Sequence, residues 1–257
     1  VETCSCTGKP TLNDPILAFG IRECGFEGCR SDTDVIYTWA SEPKCDTVSK
    51  CEEAVVKKLL EEIEFFGEKA CKGTRERDKK ATIYVIGFDI KSFDIPLISY
   101  RLWYRFYRNV EDVEGVRRAF EILFEFRGKV NDCEYSVVFL DFMDFVKSVV
   151  FPKQRINFDV VEKALNTCFE TPINDSNAEE KRNELSFSNI CSEKKLCIED
   201  AKLNDELKKL LDDGVKERLK HDLNRLSIVF RFLMEIRGDN KALRCFVSSL
   251  RELLRSR

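Results

Sequence analysis

The chain has 257 residues and a formal net charge of −3, from 43 Lys or Arg against 46 Asp or Glu. That length is ample for one domain with a large core, and the balance excludes a globally basic nucleic-acid binder. No apolar run is long enough to cross a bilayer and no signal-peptide pattern opens the chain, so a cytoplasmic protein with no membrane partner is expected.

In chain order, Val1-Glu2-Thr3 leads into a polar loop with Gly8, Pro10 and Asp14-Pro15. Strands are predicted near 15–22 and 34–40. A helix near 49–66 carries Val55, Val56, Leu59, Leu60, Ile63 and Phe66 at amphipathic spacing, suited to covering one face of a sheet. The next strand, 82–88, runs into Gly87-Phe88-Asp89-Ile90-Lys91-Ser92-Phe93-Asp94-Ile95-Pro96 and a helix over 97–108. An acid is thereby presented where a buried strand gives way to a helix, rigidly held yet in reach of solvent. Further helices are predicted near 113–125, 142–150 and 158–167, with a strand at 135–141. Residues 170–202 contain Pro172, Asn174, Asp175, Ser176 and Asn177 and are read as an insertion or long loop. The chain closes with helices at 203–211, 215–236 and 240–255. The fold class is α/β, with one domain over 1–236 and a basic helix, 237–257, packed on it.

Charge and cysteine are unevenly used. From Val215 to Arg257 there are eleven Lys or Arg and five Asp or Glu, while the rest of the chain is net acidic. A second basic group, Arg101, Arg105 and Arg108 among Trp103, Tyr104, Phe106 and Tyr107, can either hold phosphates and stack bases or form a core with a solvated face. Charged residues make up 35% of the chain beside a single Gln (Gln154), a bias seen in ion-pair-rich thermophile proteins. Twelve cysteines then suggest structural disulfides, which intracellular hyperthermophile proteins tolerate. Cys4, Cys6, Cys24 and Cys29 as four zinc ligands, or buried free thiols, are the alternatives.

Three short motifs share an order. Val1-Glu2-Thr3 matches the end of D-x-E-T, whose Asp would fall immediately before Val1, as in a processed or trimmed start. Gly87 to Pro96 matches G-[FY]-N-x-x-x-[FW]-D-[IL]-P, with Asp89 at the Asn position. Arg218-Leu219-Lys220-His221-Asp222 matches Y-x-x-x-D, with Arg218 at the Tyr position, and Glu217 stands where a variant subclass has His. Between them, Asp141-Phe142-Met143 and the helix from Ile156 to Leu165 also correspond. Together these resemble the 3′–5′ exonuclease domain of family B DNA polymerases over roughly Val1 to Leu233.

The resemblance implies a ribonuclease-H-like mixed sheet flanked by helices, with a helical C-terminal extension. It implies that Glu2, Asp94 and Asp222 are catalytic and hold two Mg²⁺ or Mn²⁺ ions, with Asp89, Arg101, Arg105 and Arg218 contacting substrate. The substrate would be single-stranded or frayed DNA, with RNA also open. Clustered carboxylates would resist joint ionisation and show raised pKa values. The plain readings are that Asp94 caps the following helix, Glu2 is a surface acid, and Asp222 pairs with Arg218 or Arg225. His221 is read as a helix-face residue. Two functions follow: a metal-dependent exonuclease, or a catalytically degenerate homologue that binds nucleic acid, a protein partner or itself. The exonuclease portion of a longer polymerase is a third reading.

Overall fold

The computed structural model describes residues 1–5, 10–74, 80–106, 125, 127–150, 156–169, 187–198, 201–238 and 240–256, without the side chains of 103–106 and 187–189. The helix expected over 113–125, together with Arg108, therefore lies outside the described residues, apart from residue 125.

The architecture is mixed α/β. Strands β1 (Glu2–Thr3), β2 (Ile16–Ile21) and β5 (Val35–Thr38) form an antiparallel sheet in the order β1-β2-β5. Between β2 and β5 sits a small hairpin, β3 (Cys24–Gly25) with β4 (Gly28–Cys29). Strands β6 (Lys80–Gly87) and β8 (Cys133–Asp141) pair in parallel, and β7 (Arg127–Val130) adds antiparallel to β8. The described strands make two three-stranded sheets and the hairpin, and β6-β8-β7 is the mixed sheet expected, with helices flanking it.

Helix α1 (Val48–Lys72) joins the two sheets. Its start is fixed by Thr47, whose side chain accepts from the Lys50 N–H, and its apolar stripe runs through Val48, Val55, Val56, Leu59 and Ile63. That stripe packs with Ile16 to Phe19 of β2 and with Ala81, Tyr135, Val137 and Phe139 of the mixed sheet in one core. Gly67 is required in this interface, because a Cβ there would stand 2.5 Å from the Tyr135 ring.

A buried ion pair locks α1 to α2 (Ile95–Phe106). Glu52 is 0% exposed and Arg101 3%, and the guanidinium donates through Nε and Nη2 to the two carboxylate oxygens. Glu52 also accepts from the Ile16 N–H at 3.0 Å, and Arg101 donates to the Asn13 carbonyl at 3.1 Å. Four segments meet at these two side chains. Arg101 is therefore a core cation facing Glu52, which corrects the expectation of a substrate-facing arginine: its donors are spent inside the protein. The Arg105 side chain lies outside the described residues.

The remaining helices are α3 (Phe142–Val150), α4 (Phe158–Cys168), α5 (Phe187–Glu193), α6 (Asp205–Ile236) and α7 (Asn240–Arg255). Two expectations change here. Helix α5 falls within the stretch read as an insertion or long loop, with Cys191 and Leu196 buried there. The helices expected at 203–211 and 215–236 are one, because Leu211, Gly214 and Val215 all bury and carry the helix through the Asp212-Asp213-Gly214 break signal. Helix α6 spans two cores: Leu211, Val215 and Leu219 pack with the sheets, while Ile228, Val229 and Phe232 pack with α3, α4 and α7 around Phe142 and Phe246.

Five disulfides join Cys4–Cys191, Cys24–Cys29, Cys45–Cys51, Cys71–Cys133 and Cys168–Cys245, and Cys197 is also disulfide-bonded. Cys4, Cys24 and Cys29 are oxidised, which removes the proposed zinc thiolates. Among the described residues no helix is long and apolar enough to cross a membrane.

Replacing one member of the buried pair, Glu52→Gln, leaves a guanidinium without its counter-charge in the core. The expected loss is about 3–5 kcal/mol in urea unfolding. Removing the Cys4–Cys191 crosslink with paired serines should cost about 2–4 kcal/mol, chiefly by freeing the unfolded chain.

Candidate active site

The acidic motif at the end of β6 owes its shape to two neighbours. Gly87 lets Ile90 approach, since a Cβ there would lie 2.9 Å from the Ile90 Cβ. Asp89 then takes a left-handed backbone, φ 61° and ψ 21°, a conformation that Asp tolerates better than most residues. A five-residue π-turn, Ile90–Asp94, feeds directly into α2, where Pro96 is tolerated in the first turn because its missing N–H needs no partner.

Asp141 holds that turn in place. Its carboxylate accepts from the Asp89 N–H at 2.9 Å, the Lys91 N–H at 3.0 Å and the Met143 N–H at 2.9 Å. Parallel pairing sets Gly87 opposite Asp141, so the turn and the carboxylate leave the sheet side by side. Sequence reading placed Asp141 at a strand end, in an Asp-Phe-Met turn that corresponds to the family's, and gave it no role. An acid at a strand end beside the glycine-bearing exit of a neighbouring strand is the signal that could have suggested one.

Helix α6 brings the third motif alongside. Leu219 and Leu223 pack over Gly20 of β2, close enough that a Cβ there would meet Leu223 at 3.3 Å. Arg22 forks onto Asp34 of the loop before β5, both bonds at 2.6 Å, and donates to Asn224 at 2.8 Å and Ser227 at 2.9 Å. These bonds fix the turn of α6 that carries Asp222.

The charges of Asp222 and Asp94 reach Glu2, so the three motif acids lie within electrostatic range of one another. Arg218 Nε lies 2.9 Å from Glu2 Oε1, and the Val1 nitrogen lies 3.4 Å from Asp94 Oδ1. Burial raises the Glu2 pKa, and the charges of Asp222 and Asp94 raise it further, against the opposing pull of Arg218. Glu2, Asp94 and Asp222 thus share one electrostatic environment.

Asp222 is tied to a second cation. Arg225, 5% exposed, reaches Asp222 at 3.7 Å, bonds Asp159 at 2.7 Å and lies 2.8 Å from Glu162. The Glu162 contact is off the N–H direction and acts as a charge contact, leaving Nε without a hydrogen bond. The guanidinium sits 4.2 Å over the Phe158 ring, which stacks on Phe88 of the β6 exit at 4.4 Å. His221 lies 3.6 Å from Asp222 on the helix face.

Carboxylates are the hard oxygen donors that Mg²⁺ and Mn²⁺ prefer, so the donor chemistry of Glu2, Asp94 and Asp222 fits such an ion. The side chains are turned elsewhere, Glu2 onto Arg218 and Asp94 onto Val1. Among the described residues no three His, Cys, Asp or Glu are disposed to hold a metal. Arg218 is half-exposed.

In comparisons with known proteins, the chain matches no family model, no curated protein and no solved structure.

Asp141→Ala strips an acceptor from three backbone donors and should lower stability by roughly 3 kcal/mol. Asp141→Asn keeps one acceptor oxygen and should lose less. Equal stability of all three proteins in denaturant would mean that the turn does not lean on this carboxylate.

Proposed function

We propose that this chain is a metal-dependent 3′–5′ exonuclease-like protein, built on a ribonuclease-H-like fold, that hydrolyses DNA phosphodiesters from the 3′ end. The observation that carries the reading is the shared electrostatic environment of Glu2, Asp94 and Asp222, contributed by β1, the exit of β6 and the middle of α6. Like charges repel and burial penalises Glu2, so acids so far apart in sequence are costly to bring together, a cost that a shared cation offsets.

Glu2, Asp94 and Asp222 would hold Mg²⁺ or Mn²⁺, which when bound supplies an activated water and neutralises charge on the phosphoryl oxygens. The chain's own residues set the rest. Arg218 stays protonated and has only donors, so it can meet a phosphate oxygen but cannot accept the proton of an attacking water. Asp89, half-exposed at the turn, faces the same end of the sheet and can contact the substrate strand. Asp141 and Arg225 position Asp94 and Asp222 without reaching the reacting atoms.

The Arg218–Glu2 ion pair favours a second reading. A guanidinium already neutralises one of the acids, as it would in a homologue that keeps the fold for binding or assembly and has lost catalysis.

The two readings separate on a 5′-labelled single-stranded DNA incubated with Mn²⁺. The chain as it stands, and one with Asp placed immediately before Val1, would be run beside Asp94→Ala. Stepwise shortening from the 3′ end that Asp94→Ala abolishes is the expected result. A folded protein of either form that leaves the strand intact overturns the enzyme reading in favour of the second.

A further inference from the structure

Helix α7 carries a feature that the acidic site does not use. Lys241, Arg244, Ser248, Arg251 and Arg255 are all exposed, and with 3.6 residues per turn they fall within an arc of about 80°. Arg244, Arg251 and Arg255 make no ion pair among the described residues. Elsewhere cations are commonly matched, as in Lys58 with Glu62 and Lys72 with Glu68. The one acid on the helix, Glu252, stands at the flank of the stripe on the Lys241 side.

The opposite side of α7 is fully committed. Phe246 and Leu250 are 0% exposed in the second core, and the Cys168–Cys245 disulfide ties the helix to α4. The backbone of the ridge is therefore fixed in direction before anything binds. This also decides between polyanions. An amphipathic helix that lies on an anionic membrane must offer its apolar face to the lipid, and here that face is inside the protein.

We infer that the outer face of α7 is a phosphate-tracking surface for single-stranded nucleic acid, with Arg244, Arg251 and Arg255 as its contacts. The choice of nucleic acid among polyanions rests on the exonuclease-type reading. At 1.5 Å rise per residue the three arginines stand about 10 and 6 Å apart along the axis. A strand carrying a charge every 3.4 Å or so presents several phosphates over that length. The contacts are to phosphates alone, so they position a strand without selecting its sequence.

The test is binding of a fluorescein-labelled oligothymidylate by anisotropy, in chelator so that hydrolysis plays no part, across a salt series. Each lost phosphate contact on a single strand lowers the slope of log K against log salt by about 0.7. The triple variant R244Q/R251Q/R255Q should therefore lose about two units of slope. A control with Lys57, Lys80 and Lys209, exposed elsewhere, changed to Gln should keep the parent slope. No binding by the parent, an unchanged slope in the triple variant or an equal loss in the control would overturn the inference. So would arginine-dependent binding to phosphatidylserine vesicles in place of DNA. Because the assay needs no turnover, a slope loss with no strand shortening keeps this surface and discards the enzyme. Strand shortening with an unchanged slope does the reverse.

Discussion

An ionised carboxylate that accepts several backbone N–H groups is held far more firmly than one facing water, since each bond is charge-assisted and none must be given up to solvent. Asp141 is such a group, at the point where β6 and β8 end next to each other. Through it, the turn that delivers Asp94 is bonded to a neighbouring strand and to the start of α3. The left-handed backbone at Asp89 and the close approach of Ile90 to Gly87 are sustained by these bonds. An acid held in this way keeps its position whether or not a cation is bound, as a site at a strand end requires.

The acidic cluster itself is a problem in charge balance. Glu2 is buried within range of two other acids and would be costly without compensation, which Arg218 supplies. Asp222 has Arg225, which is in turn neutralised by Asp159 and Glu162 and stacked on Phe158. The cations are of two kinds. Arg225 is sealed in and fixes geometry, whereas Arg218 is half-exposed. That difference is what leaves both the exonuclease and the degenerate reading consistent with one arrangement.

The site also lies at a seam. Helix α6 belongs to the sheet core at its start and to the helical core at its end, with Arg218 and Asp222 near the changeover. The stack of Phe88 on Phe158 and of Phe158 under Arg225 crosses the same boundary. Disulfides fasten the surrounding elements, with the buried Cys4–Cys191 holding the segment next to Glu2 and Cys168–Cys245 holding α7. The outward arginines of α7 therefore face solvent from a helix that cannot rotate.

Much of this was determined by local sequence. Amphipathic spacing gave α1, α3, α4 and α7 within a few residues of their bounds, except that α1 runs six residues past its expected end, to Lys72, because periodicity carries no stop signal until Gly73. The apolar runs of β2, β5, β6 and β8 were equally legible, because side-chain period is a property of the chain alone. Tertiary structure decided the rest. It split the strands into two sheets, carried α6 through Gly214 on the strength of buried neighbours, and placed α5 in a stretch whose composition reads as an insertion or long loop. It turned Arg101 inward to Glu52 and gave Asp141 its three donors. Those outcomes depend on which partners arrive from distant segments, and a side chain's charge or polarity does not record who its partner will be.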